Sequence, residues 1–210
     1  MYFAKTFLTI AFLLLLLLIA PALANAESRH VATSTTPATT SARLDFQIEI
    51  PKVLFLRVGS GADNTDVSNI DLITFQVNAA NVGDGSPVAA TSASGDLGGG
   101  AVTAKVVGNN GIVTFTSSTL GALQNGSGDG ISHGQIVATV TPLSSMVALA
   151  HPAFVDGGST TVSLTPATGK VVNRDARWTF AYLNQNAVAP GTYGGVNANN
   201  GRVTYTASMP

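Results

Sequence analysis

Short clusters of glycine, asparagine, aspartate and serine interrupt this sequence many times. These residue types tolerate a positive φ or hydrogen-bond to nearby backbone, so they favour tight turns. No window of ten or more residues has the apolar spacing of a capped amphipathic helix, and the nearest candidate is the short run LSSMVALA, residues 143–150. The chain is therefore expected to fold as short segments that reverse direction often. The clusters lie at 59–66, 81–87, 95–100, 108–111, 124–130, 156–158 and 197–201.

β-Branched and aromatic residues dominate the runs between these clusters, which is typical of strands. In KVVGNNGIVTFT, residues 105–116, two such runs meet at Asn109-Asn110-Gly111, a hairpin signal. Strands are predicted at 53–58, 70–77, 101–107, 112–117, 135–141, 160–165, 177–183 and 202–207. Many short strands separated by turns predict an all-β fold, an antiparallel β-sandwich or barrel, of which the sandwich is the preferred prediction.

The N-terminal stretch has the three parts of a secretory signal peptide. Lys5 supplies the positive charge, an apolar run follows at 7–20, and Ala24 and Ala26 form an A-x-A cleavage site. An uncleaved membrane anchor is the alternative, because the apolar stretch is close to the shortest span. The cleavage site favours removal of residues 1–26, which predicts a secreted, extracellular or cell-surface protein that crosses the periplasm in transit.

The rest of the chain divides by composition. Residues 27–43 are rich in serine and threonine and almost free of large apolar side chains, so we expect a flexible leader. Residues 44–210 are expected to form a single β-sandwich domain, and they are numerous enough for one full-sized core. After residue 26 no apolar segment is long enough to span a membrane, so no membrane span is expected in the mature chain.

Charge and cysteine content exclude several classes of function. Residues 27–210 carry nine of the ten Lys and Arg residues and all eleven Asp and Glu residues. Nucleic-acid binding needs clustered basic residues, so no nucleic-acid partner is expected. The chain has no cysteine, which excludes disulfides, thiol catalysis and thiolate metal sites.

The most enzyme-like motif is GISHG, residues 130–134, which matches the G-x-S-x-G pattern of a nucleophilic serine. That pattern requires a strand before the serine and a helix after it. Here a glycine-rich loop precedes Ser132 and a predicted strand follows His133. No acidic residue lies between Ser132 and His151, so the order serine, acid, histidine is not met. We expect a turn rather than an active site, and no enzyme.

Two loops have residue types that suit calcium, although ordinary turns capped by Asn and Asp are the favoured interpretation. In the second loop the position of the bidentate glutamate of an EF-hand is taken by Ile136, and no flanking helices are predicted. No metal or cofactor is therefore predicted. The loops contain Asp63, Asp66, Asn69 and Asp71, and Asn125, Ser127 and Asp129.

Aromatic residues near the C-terminus allow two interpretations. Trp178, Tyr182, Tyr193 and Tyr205 could form a platform that binds a glycan, which would make the protein a monomeric recognition module. Alternatively, Trp178 and its neighbours on the same strand face belong to the core. The alternation of Trp178, Phe180 and Tyr182 favours the core.

In the segment LDFQIEI, residues 44–50, apolar and polar residues alternate strictly. Leu44, Phe46, Ile48 and Ile50 would lie on one face of a strand. Pro51 has no N–H group and interrupts any ladder, and the nearly continuous apolar run 53–58 follows. A polar leader, an alternating segment and a buried strand thus open an exported, cysteine-free domain.

This arrangement resembles the subunits of bacterial surface fimbriae assembled by the chaperone–usher route. The resemblance is architectural and rests on no specific motif. It implies an incomplete immunoglobulin-like sandwich whose groove is filled by the N-terminal segment of the next subunit. Leu44, Phe46, Ile48 and Ile50 would then be the donor residues, and the partners would be further copies or other surface subunits. If the segment pairs within its own domain, the fold is complete and assembly is optional.

Overall fold

The computed structural model describes residues 27–32 and 37–210. The chain divides into two compact units, the first ending at Ile50 and the second spanning Pro51–Pro210. The predicted signal peptide, residues 1–26, lies outside the described residues. Within the described part of the chain, no helix has the length and apolar character needed to cross a bilayer.

The second unit consists of short antiparallel strands, which confirms the predicted all-β, antiparallel fold. Two single-turn 3-10 helices, Ala79–Asn81 and His133–Gln135, complete the regular structure of the described residues. The strands are β1 (Leu54–Val58), β2 (Val88–Ala89), β3 (Ala101–Gly108), β4 (Val113–Thr119), β5 (Leu123–Gln124), β6 (Gly130–Ile131), β7 (Ile136–Thr141), β8 (Ser159–Leu164), β9 (Val172–Tyr182) and β10 (Val203–Ser208).

The larger sheet is built around β9. Thr179 pairs with Ala101 of β3 and with Thr139 of β7, so these two strands flank β9 on opposite sides. β2 pairs with the last residues of β9 and continues the line of β3. β1 pairs with the far side of β3, which makes β1 an outer strand of this five-stranded sheet.

The smaller sheet has the order β10-β4-β8, and β5 and β6 form a separate short pair. Apolar side chains from the two main sheets face each other and form one core. Phe115 of β4 packs against Trp178 of β9 with ring centroids 5.9 Å apart. Trp178 is fully buried, and its Nε1–H donates to the backbone oxygen of Leu149 at 2.8 Å. The core interpretation of Trp178, Phe180 and Tyr182 is therefore confirmed.

The connection between β7 and β8 fills one side of the sandwich. The Leu149 N–H donates to the Asp175 backbone oxygen at 3.1 Å, and the Ser117 hydroxyl donates to the Ala153 oxygen at 3.2 Å. Leu149 is fully buried within the core, and Phe154 packs against it. The connection between β7 and β8 thus closes the space between the two sheets on this side.

The strand predicted at 70–77 is wrong, because the segment contributes only an isolated bridge between Phe75 and Ala90. Its hydrogen bonds are instead irregular: the Thr74 N–H donates to the Ser94 hydroxyl at 3.0 Å. Ile73 and Phe75 pack on the core, while Ile70 is 64% exposed. Some apolar side chains of segment 70–77 are therefore buried as in a strand. The segment forms no ladder, because no strand among the described residues runs alongside it.

Candidate functional site

The segment 44–50 has neither helix nor strand, so the strand predicted there is not formed in the isolated chain. Its four apolar side chains are 72–85% exposed, and the segment pairs with no strand of the described residues. Isolated exposed apolar residues are ordinary on protein surfaces. Leu44, Phe46, Ile48 and Ile50 instead alternate so that an extended conformation would bring them into one continuous apolar stripe, and such stripes mark interaction surfaces.

β1 presents an unpaired edge. The Asn109 N–H donates to the Val53 oxygen at 3.3 Å and the Gly59 N–H donates to the Thr103 oxygen at 2.7 Å. In an antiparallel ladder, alternate residues bond to the same neighbour. The backbone groups of Leu54, Leu56 and Val58 therefore point away from β3, and no strand among the described residues pairs with them.

β10 is an edge strand as well. The Thr119 N–H bonds to Gly158 at 3.0 Å, beside β8, so the alternate residues of β4 bond to β10. The same alternation leaves the backbone groups of Tyr205 and Ala207 pointing outward, with no pairing strand in the described part of the chain.

The two unpaired edges lie on the same side of the sandwich. The residues next to their ends are joined, because Lys52 Nζ and Asn110 Nδ2 both donate to the Pro210 oxygen, the latter at 2.6 Å. The side chains of Leu56, Tyr205 and Met209 reach the core from these strands. Connection 142–158 fills the opposite side, whereas no strand of residues 27–32 and 37–210 covers the β1 side.

A groove of about 430 Å³ runs beside the open edge of β1. Leu54, Phe55 and Leu56 form one wall, and residues 65–68 of the following loop form the other. The loop leaves β1 at Gly59, whose φ is +84°. A side chain at Gly59 would meet the Asp71 carboxylate at 2.1 Å, so glycine is required where the chain turns.

Two basic side chains lie next to this edge, on the outer face of the larger sheet. Arg57 Nη2 contacts Asp96 at 3.2 Å, and Arg57 Nη1 lies 3.6 Å from Asp63. Lys105 Nζ also binds the Asp63 carboxylate. The hydrogen bond from Lys105 lowers the pKa of Asp63. Asp63 therefore stays ionised and, together with Asp96, balances the two positive charges.

The structure brings Ser132, His133 and Asp156 together, which sequence order did not indicate. His133 Nδ1 lies 3.3 Å from Asp156 Oδ1, and the His133 N–H donates to the same oxygen at 2.8 Å. Partial burial alone would raise the pKa of Asp156, but hydrogen bonds from Ser132 and His133 lower it. A serine protease-like triad needs the serine hydroxyl on Nε2 of the histidine.

That geometry is missing here. His133 is 1% exposed, and its Nε2 has no hydrogen-bond partner in the described part of the structure. Ser132 caps the 3-10 turn, since its hydroxyl accepts from the Gly134 N–H at 3.1 Å. In GISHG, Gly130 and Ile131 therefore form the short strand β6 and Ser132 caps a turn that Asp156 holds in place, in agreement with the turn interpretation.

In both candidate calcium loops, carboxylates are held by other protein groups. Asp71 accepts from the Ser60 N–H at 2.6 Å and from its hydroxyl at 2.7 Å. Asn125 Nδ2 donates to Asp129 at 2.9 Å, and Asn125 also accepts from the Ser127 N–H at 2.8 Å. Across residues 27–32 and 37–210, no group of three or more His, Asp or Glu side chains is placed to hold a metal ion.

The aromatic residues do not form an exposed platform. Trp178 is fully buried and Tyr182 is 6% exposed. Tyr205 packs 5.5 Å from Trp178, and burial raises the pKa of its hydroxyl. Tyr193 is half-buried, and its hydroxyl donates to the Ala189 oxygen at 2.8 Å. Glycan binding through Trp178 would require the core to open.

His151 lies inside this aromatic cluster. Its Nε2 is 2.8 Å from the Tyr205 hydroxyl, and its ring packs edge-on against Trp178 at 4.7 Å and Phe154 at 4.6 Å. Burial lowers the pKa of His151 to about 4. Because the aromatic rings cannot solvate a positive charge as water does, the neutral form is favoured in the folded state.

This shift predicts acid sensitivity. The unfolded chain binds the His151 proton near pH 6.5 and the folded chain only near pH 4, so the free energy of unfolding should fall through that window. The loss should reach up to about 3 kcal/mol. Urea unfolding between pH 7.5 and 4 measures it, with His151→Gln as the variant and exposed His30→Gln as the control. An equal pH dependence in wild type and H151Q would refute the assignment.

Comparison with models of known protein families, with curated proteins and with solved structures gave no match.

Proposed function

We propose that this protein is an exported structural subunit of a surface appendage or extracellular matrix, and that copies join by β-strand addition. The exposed segment 44–50 of one copy pairs with the open β1 edge of the next. The observation that carries the proposal is the coexistence of an unpaired, alternating apolar segment and a sandwich whose β1 side is covered by no strand in the part of the chain that the structure describes. The resemblance to chaperone–usher fimbrial subunits supports the same conclusion.

Strand addition would pair the open β1 edge and bury the apolar stripe of segment 44–50 in the same step. The backbone of the added segment bonds to the outward groups of Leu54, Leu56 and Val58, and the apolar stripe enters the groove beside β1. Each large apolar side chain that becomes fully buried contributes about 1.5–3 kcal/mol. The polar residues Asp45 and Glu49 would remain outside, on the same face as Arg57.

The chain between the segment and β1 favours a partner copy as acceptor. Pro51 and Lys52 are the two residues that separate Ile50 from Val53. Two-residue hairpins favour a positive φ at the first turn position, and proline fixes φ near −65°. A tight hairpin of the segment on its own β1 is therefore disfavoured, whereas a second copy meets no such restriction.

Charge placed in the apolar stripe should abolish assembly. The double variant Phe46→Asp/Ile48→Asp is expected to be monomeric, because a carboxylate that enters the groove unpaired loses several kcal/mol of hydration. Size-exclusion chromatography and electron microscopy of the mature chain measure the outcome. Gln47→Asp, which places a charge on the polar face of the segment, is the matched control and should assemble.

The wild type must form oligomers that the double variant does not form. Strand addition would be refuted by a wild-type chain that stays monomeric at high concentration, or by a double variant that assembles as well as wild type. Circular dichroism of both variants checks that the sandwich is folded, as expected for substitutions in a segment outside the second unit.

A further inference from the structure

The loop that follows β1 lies along the edge where the added strand would bind. Residues 65–68 line the groove together with Leu54, Phe55 and Leu56, yet they form no strand and pair with no backbone of β1. Val67, in this wall, is 47% exposed. The irregular loop thus covers the β1 edge, but it makes no backbone hydrogen bonds to the outward N–H and C=O groups of that strand.

Asp63 fastens this loop to the sheet. Its carboxylate binds Lys105 and lies 3.6 Å from Arg57, so it bridges β1 and β3 on their outer face. Asp96 is the other partner of Arg57, and it is held in place by the Thr103 N–H at 2.8 Å. The Asp63 side chain is 41% exposed and that of Asp96 is 11% exposed. Asp63 is therefore the more accessible and exchangeable of the two partners.

The donor segment, residues 44–50, has carboxylates that could bind Arg57 and Lys105 in place of Asp63. If the apolar stripe of an added strand faces the core, alternation places Asp45 and Glu49 on the outer face, where Arg57 and Lys105 lie. Opposite charges on neighbouring strands attract and like charges repel. Asp63 and an incoming carboxylate cannot both bind this basic pair without repelling each other.

We propose that Asp63 is an internal substitute for the donor carboxylates, and that loop 60–69 guards the β1 edge until a donor segment exchanges with it. The inference rests on the proposed strand addition and adds a control step to it. The guard lowers the affinity of the edge for the donor segment, because Asp63 already holds the basic pair that the donor carboxylates would bind.

The test uses a labelled peptide of residues 43–51 and the full mature chain carrying F46D/I48D, so that self-assembly does not compete. Adding D63N to this chain should tighten peptide binding about three- to fivefold, the size expected from exposed ion pairs. A peptide with Asp45→Asn and Glu49→Gln should gain clearly less from D63N. D129N, which removes an exposed carboxylate in the loop 124–130, is the control and should leave affinity unchanged. Fluorescence anisotropy at low salt measures all four combinations.

The outcomes separate the two proposals. Peptide binding that D63N leaves unchanged, or strengthens equally for both peptides, overturns the guard and leaves strand addition intact. Absence of peptide binding to every variant overturns both. Tighter binding that depends on the peptide carboxylates, and that fades at high salt, supports the guard because exposed charges are screened.

Discussion

Trp178→Ala is expected to lower the free energy of unfolding of the second unit by about 3–5 kcal/mol. Trp178 has no exposed surface, and it contacts aromatic residues of the smaller sheet as well as the interlayer residue His151. Its removal leaves a large cavity between the two sheets and also frees the Leu149 oxygen, which accepts the indole N–H. The cavity and the lost hydrogen bond both lower the free energy of unfolding.

Urea unfolding followed by far-UV circular dichroism measures this effect. The chain contains one tryptophan, so its fluorescence reports burial in the wild type but is lost in the variant. Trp178→Phe should cost less, because it fills part of the space and loses only the N–H. Half-buried Tyr193→Ala, away from the two-sheet core, is the control. A loss below 1 kcal/mol in W178A would contradict a core role for Trp178.

The strands were predictable because side-chain alternation and turn chemistry act locally. A turn at Asn109-Asn110-Gly111 joins β3 to β4 as expected, but the hairpin predicted there is wrong, because β3 and β4 do not pair and the turn crosses from the larger sheet to the smaller one. β9 begins at Val172, five residues before its predicted start, because polar residues such as Asp175 lie in its first half. Asp175 is buried by partners from another part of the chain, and no local pattern shows this.

The candidate site was only partly predictable, for a topological reason. The alternation of 44–50 identified an apolar stripe from the sequence alone. Which strands remain unpaired depends on the order of strands in two sheets, and that order brings β1 and β10 to the same side. The contact between His133 and Asp156 likewise joins residues separated by a strand and a long connection. Only the long-range fold creates such neighbours.

The buried carboxylate of Asp175 fixes the connection that closes the sandwich. It accepts from the N–H groups of Ser144 and Ser145, both at 2.9 Å, and from both serine hydroxyls. Burial by itself would raise the pKa of Asp175, but these hydrogen bonds hold it well below its usual range. The ionised form is therefore strongly favoured in the folded state.

Asp175→Asn should lower the free energy of unfolding by about 3 kcal/mol at pH 7, because the amide group directs N–H donors at the donors of the two serines. A lowered pKa in the folded state stabilises the fold above the pKa of the unfolded chain and loses that effect as pH falls. The difference between wild type and D175N should thus shrink below about pH 4. Urea unfolding at pH 7, 5 and 3 measures it, with exposed Asp66→Asn as the control. A difference that stays constant with pH would show that Asp175 acts through shape rather than charge.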